Sequence, residues 1–290
     1  MPTVLGIDLG GTKLAIARFA SATWKKQGER VLPTAGKTFP VIVEEMLSLI
    51  QEFRTDDTTA IGIGIPGLIE KDSGEIRAVP NIPEGNGFPL LATLKNATKL
   101  PVFLENDSAC FALAEALQGA GKGQNVVVGI TMGTGVGGGI VVDGTIFRGQ
   151  HGCAAEFGHM LLKPGESPTS EGAGRGEIEE YLSGTALLRR CPAAKRPEDL
   201  LSGPACTHLH AFFIREVAWA CCSLAHCIDP GIIVFGGGAG HALKPHLPAI
   251  EKELKRWMLP ESPLPKLAIG TLEHAGTLGA ALLTRDMGSV

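Results

Sequence analysis

A chain of 290 residues with 26 basic against 30 acidic side chains carries a net charge of −4, without the basic excess of a nucleic-acid surface. With 44% hydrophobic and 19% charged residues it has the composition of a soluble globular protein, long enough for two domains and for a core that needs neither disulfide nor structural metal. Its seven cysteines are odd in number, follow no repeating spacing and read as reduced thiols of a cytoplasmic protein.

No signal peptide is expected, because no basic segment precedes an apolar one and Asp8 interrupts the first hydrophobic run. Residues 4–8 read as a buried strand, and residues 14–19 as a second one after a tight Gly10-Gly11 turn. A helix is expected over 40–53, with Val43, Met46, Leu47, Ile50 and Phe53 on one face. Residues 60–65 form a strand ended by Pro66-Gly67, and residues 89–97 a helix. Residues 102–104 form a short strand running into Glu105-Asn106-Asp107, followed by an Ala- and Leu-rich helix over 108–118 that stops at Gly119.

The second half restarts the pattern. Residues 125–142 carry no charge and raise the question of a membrane span, but their six glycines favour two strands, 126–130 and 138–142, around a Gly-rich turn. A long helix follows over 205–228, a buried strand over 232–235 meeting Gly236-Gly237-Gly238, one helix over 242–258, a strand over 267–269 and a last helix over 276–284. The Pro- and Gly-rich stretch 163–176 is the one long irregular loop. Apolar strands alternating with helices indicate an α/β fold with largely buried sheets.

Gly6-Ile7-Asp8-Leu9-Gly10-Gly11 reappears as Gly129-Ile130-Thr131-Met132-Gly133-Thr134, each copy between two apolar strands. Two related halves, each with a Gly-rich turn, suggest a site clamped between two domains. Such turns expose N–H groups that can surround a phosphate, although a single one reads equally as a plain hairpin. Neither is a Walker A loop, and the strand-like residues 140–142 argue against a dinucleotide fold at Gly133, Gly135 and Gly138. Asp8 beside the first turn reads as a turn cap or as a Mg2+ ligand, and Lys13 as a charge for phosphate or a solvated side chain.

Five motifs then occur in order: Ile7-Asp8-Leu9-Gly10-Gly11-Thr12-Lys13, Gly64-Ile65-Pro66-Gly67, Glu105-Asn106-Asp107, Gly133-Thr134-Gly135-Val136-Gly137-Gly138-Gly139 and Glu156-Phe157-Gly158-His159. From about Val4 to Leu282 the chain resembles the ROK family, and most of all its bacterial N-acetylglucosamine kinases and glucokinases. The resemblance implies a two-domain actin-like, ribonuclease-H-like α/β fold with duplicated halves. It implies a small domain of residues 1–107 plus about 274–290, and a large domain of 108–273. It also implies ATP-dependent phosphorylation of the 6-hydroxyl of a hexose or N-acetylhexosamine; the charge balance and the glycines of 125–142 add the expectation of no nucleic-acid or membrane partner. Family members are often dimers, but no interface is visible in the sequence.

By that resemblance Asp107 is the general base. Gly10, Gly11, Thr12 and Lys13 with Gly133, Thr134 and Gly135 hold the ATP phosphates, Asp8 holds Mg2+, and Gly236, Gly237 and Gly238 lie against the adenosine. Asn106, Asp107, Glu156, His159 and Glu179 bind the sugar, with Gly67 and Asn81 lining the pocket. The physics agrees, since a sugar hydroxyl needs a base and a helix N-terminus favours an ionised carboxylate, although Asp107 also reads as a helix N-cap.

One departure stands out. Members commonly carry Cys-x-Cys-Gly-x-x-Gly-Cys-x-Glu after the Gly-His pair, with the His and three Cys on zinc; here residues 170–181 contain no cysteine, and Glu177 falls at a Cys position. Zinc prefers thiolate and imidazole ligands, so no structural zinc is expected, and hydrogen bonds are expected to hold the 163–176 loop. A sugar-sensing regulator of the same family is the alternative, but the phosphate-binding strand begins at Val4 and leaves no room for a DNA-binding helical domain ahead of it.

Overall fold

Residues 3–9 are buried at every position but Asp8, and they form the central strand of a sheet. The computed structural model describes residues 1–70, 73–79, 83–163, 175–196, 199–202 and 204–285. The chain divides into two compact units, Met1–Ala114 with Arg148–Ala154 and Leu272–Val290, and Glu115–Phe147 with Ala155–Thr271.

In the first unit β1 (Thr3–Leu9) pairs antiparallel with β2 (Lys13–Ala20), which pairs antiparallel with β3 (Lys26–Pro33). Helix α1 (Phe39–Phe53) buries Phe39, Ile42, Val43, Met46, Leu49 and Ile50, so its apolar stripe starts one turn before the expected one. On the other side of β1, β4 (Thr58–Ile65) pairs parallel, and β7 (Val102–Asn106) pairs parallel with β4. Between them lie a small antiparallel pair, β5 (Leu68–Ile69) and β6 (Ile76–Ala78), and α2 (Leu90–Thr98). Helix α3 (Asp107–Gln118) leaves the end of β7. The sheet order is β3-β2-β1-β4-β7.

The second unit repeats this plan. Strands β8 (Val126–Met132), β9 (Val136–Val142) and β10 (Thr145–Ile146) form the antiparallel part. Helices α4 (Ile178–Leu182), α5 (Gly184–Arg190), α6 (Asp199–Ser202) and α7 (Thr207–Ile228) follow. Strand β11 (Ile232–Gly236), α8 (Gly237–Ala242), α9 (Leu247–Trp257) and β12 (Lys266–Ile269) complete it, with β11 parallel to both β8 and β12. The order β10-β9-β8-β11-β12, with the same strand directions, is the first sheet's order element for element. This is the duplication that the repeated Gly-rich turns suggest.

Helix α10 (Ala275–Leu282) returns to the first unit and lies directly on its sheet. A Cβ on Gly62 would stand 1.7 Å from the Ala280 carbonyl oxygen, so only glycine allows this approach. Among the described residues, the helix running into α7 is the one long and apolar enough to cross a membrane, yet Phe213, Val217, Cys221 and Leu224 are buried in the second unit's core. The carboxylate of Glu216, also buried on α7, is met by Lys163 Nζ at 2.6 Å and by Arg190 Nη1 at 2.5 Å.

Two expectations are corrected. The helix expected over 242–258 is α8, a 3-10 turn at Lys244–His246 and α9, because Pro245 and Pro248 lack the N–H groups that a continuous helix needs. Not all the cysteines are thiols, since Cys191 after α5 and Cys206 before α7 form a disulfide, while Cys110, Cys153, Cys221, Cys222 and Cys227 are free.

Candidate active site

In the first unit the β1–β2 turn closes by a bond from the Gly10 N–H to the Lys13 carbonyl at 2.8 Å. Gly11, Thr12 and Lys13 are exposed on it. Asp8 is the next-to-last residue of β1, two residues before Gly10. Burial, reinforced by the Asp107 charge and opposed by Lys13, pushes its carboxyl up to about 6. Three expected site residues are thus electrostatic neighbours.

Asp107 is the first residue of α3, and its Oδ1 accepts the Ser108 N–H at 2.7 Å. The cap is the residue before it: Asn106 Oδ1 accepts the N–H groups of Ser108 at 2.9 Å and Ala109 at 3.2 Å. Asn106 Nδ2 in turn donates to the Gly67 carbonyl at 3.1 Å, which joins two expected sugar-side residues. Glu105, silent in the sequence beyond its place in the motif, accepts the Asn106 N–H at 2.9 Å and Arg148 Nε at 2.6 Å. Asn81 lies outside the described residues.

In the second unit the β8–β9 turn closes by the Gly133 N–H to the Gly135 carbonyl at 2.9 Å, leaving Gly133 and Thr134 exposed. Glu156-Phe157-Gly158-His159 enters the structure through its middle. Phe157 is buried in the core, and a Cβ on Gly158 would stand 2.3 Å from the Val136 carbonyl oxygen. Glu156 and His159 flank that anchor. Burial raises the Glu156 carboxyl above its ordinary value, opposed by His159 and helped by Glu179. Glu179 Oε2 accepts the Val136 N–H at 2.8 Å, so this expected sugar residue also grips the end of the phosphate turn. Gly236 caps α8, and Gly237, at φ 76°, presses on Met132 at the entry to the same turn.

His159 Nδ1 lies 3.1 Å from Glu177 Oε2, and this hydrogen bond raises the imidazole pKa above its usual value. The two segments also pair through the backbone, with Leu162 N–H on the Gly176 carbonyl at 2.7 Å and Ile178 N–H on the Met160 carbonyl at 2.8 Å. These bonds tie the described ends of the 163–176 loop; residues 164–174 lie outside the described residues. One imidazole and one carboxylate do not make the thiolate-rich set of a closed zinc site. Asp8 fits Mg2+, which takes one or two carboxylates and completes its shell with phosphate and water.

The residues 4–287 match the model of the ROK family. The chain is 33% identical to the N-acetyl-D-glucosamine kinase of Salmonella arizonae, over 96% of this chain and 98% of that protein. The solved ROK hexokinase from Thermus thermophilus superposes with a TM-score of 0.82 at 35% identity, covering 97% of each chain. A ROK family glucokinase from Streptomyces griseus, solved with glucose and AMPPNP, gives a TM-score of 0.79 at 30% identity, covering 98% of this chain and 99% of that one.

Proposed function

Because this chain belongs to the ROK family and is a hexose or hexosamine kinase of that family, we propose that it transfers the γ-phosphoryl group of ATP to the 6-hydroxyl of glucose or N-acetylglucosamine. The observation that carries the reading is the carboxylate of Asp107 at the β7–α3 junction, beside the capping residue Asn106 and within electrostatic reach of Asp8.

Asp107 accepts the proton of the sugar hydroxyl as its oxygen bonds to the γ-phosphorus and the bond to ADP breaks. Asn106 and Gly67 form one wall of the sugar pocket, and Glu156, His159 and Glu179 bond its other hydroxyls. The N–H groups of the two Gly-rich turns hold the phosphates, with Lys13 adding charge and Gly236, Gly237 and Gly238 against the adenosine. Asp8 would hold Mg2+, which neutralises phosphate charge when bound. We place the enzyme in the cytoplasm, the compartment that supplies ATP. Sugar-dependent release of ADP by the purified protein is the experiment that tests this reading.

A further inference from the structure

Each Gly-rich turn is held through its carbonyls by a threonine hydroxyl and a backbone N–H from a segment outside the motifs. In the first unit Thr34, buried just after β3, donates its hydroxyl to the Gly10 carbonyl at 3.2 Å and its N–H to the Thr12 carbonyl at 3.0 Å. In the second unit Thr185, in the first turn of α5, donates its hydroxyl to the Thr134 carbonyl at 2.9 Å. The N–H of the preceding Gly184 donates to the Gly133 carbonyl at 2.7 Å. Two carbonyls of each turn, those of Gly10 and Thr12 and those of Gly133 and Thr134, are therefore engaged by protein donors. The N–H groups of Gly11, Thr12, Thr134 and Gly135 have no recorded protein acceptor among the described residues.

That division of labour is what an anion site requires. Carbonyl oxygens repel phosphate, whereas unengaged N–H groups attract it. We infer that Thr34 and Thr185 are positioning residues of the phosphoryl-transfer site, each fixing one phosphate-binding turn by holding its carbonyl oxygens so that the N–H groups stay free for the nucleotide. The inference rests on the kinase reading above. The two holds come from different elements and meet different carbonyls: Thr34 follows β3 and meets Gly10 and Thr12, whereas Thr185 lies in α5 and, with Gly184, meets Thr134 and Gly133. The second turn has an additional hold in Glu179, whose Oε1 has no recorded partner among the described residues while Oε2 is on Val136.

The test uses Thr34→Ala, Thr185→Ala and the matching serine variants in the full chain. Loss of one such hydrogen bond should raise the KM for ATP roughly three- to tenfold, with the sugar KM within about twofold, and serine should restore both enzymes. Hydrogen exchange of the substrate-free protein gives a second readout: Thr185→Ala should speed exchange at Gly133 and Val136, and Thr34→Ala at Gly10, with distant amides unchanged. Unchanged exchange in those turns, or a sugar KM that rises as much as that for ATP, would overturn the proposal. If exchange rises as expected but the wild-type protein phosphorylates no sugar, the hold on the turns stands. The kinase reading then fails, and the phosphate role of the turns with it.

Discussion

Asn106 Nδ2 donates to the Gly67 carbonyl at 3.1 Å while Oδ1 of the same side chain caps α3 through Ser108 and Ala109. One amide therefore fixes both the loop after β4 and the helix whose first residue is Asp107. Asn106→Asp keeps the cap and loses the donor, whereas Asn106→Ala loses both. The alanine variant should lose about 1 kcal/mol of stability, the usual worth of a cap, and the aspartate variant less. Urea denaturation of both proteins checks the order, which an equal loss in the two variants would contradict.

Asp8 gives a pH-dependent stability prediction. Its folded pKa is raised from 3.8 to about 6, chiefly by burial. The protonated form is thus favoured in the folded state: the associated stability is full below about pH 4, fades between about 4 and 6, and is gone above. At about 1.4 kcal/mol per pKa unit the effect is about 3 kcal/mol. Asp8→Asn removes the ionisation, so it should melt higher than wild type at pH 8 and little differently at pH 4, while losing activity. Scanning calorimetry at the two pH values measures this.

Glu216 is the third case. Removing its carboxylate leaves Lys163 and Arg190 without the buried charge they share. Because the two cations left behind are partly exposed and can be solvated, Glu216→Ala should lose less than the roughly 3–5 kcal/mol that a stranded buried charge costs, about 1–3 kcal/mol in denaturant titration. Glu216→Gln, which keeps acceptor capacity, should lose less.

The His159–Glu177 pair joins the two segments that bound the 163–176 loop. His159 should titrate above the ordinary histidine value of 6.5, because Glu177 accepts its hydrogen bond. The stability from the pair is then full below about pH 6.5 and is lost as pH rises through the folded pKa. In Glu177→Gln the imidazole should return toward 6.5, as NMR titration would record. An unshifted His159 in the wild-type protein, or one tightly held zinc per chain by elemental analysis, would contradict this account.

Most of the scaffold was legible because its strands are buried. Apolar runs mark β1, β2, β4, β8 and β11, and the repeated Gly-rich turn announces the duplicated sheet. Strand β3 escaped because it is an edge strand, with Lys26, Glu29 and Arg30 in place of an apolar run. Helices α4 and α5 are too short for a 3.6-residue period to show. The candidate site divides in the same way. Asp8, Asn106, Asp107, Glu156 and His159 sit in motifs, so local sequence exposes them. Thr34, Thr185 and Arg148 acquire their partners only through tertiary folding, and an isolated threonine or arginine carries no local signal of that. The Cys191–Cys206 disulfide was hidden for the same reason, since an odd count of scattered cysteines implies no pairing.

The central claim is that Asp107 is the base of a sugar kinase. The most direct measurement is ADP release, coupled to a reporter, with glucose, N-acetylglucosamine, N-acetylmannosamine, mannose and fructose, for wild type and Asp107→Ala. The account predicts sugar-dependent ADP release by the wild type, strongest with glucose or N-acetylglucosamine. It predicts a turnover lower by a factor on the order of 10²–10⁴ in the variant, with sugar and ATP still bound. A variant that turns over at the wild-type rate, or a wild type that releases no ADP with any of the five sugars, would contradict it.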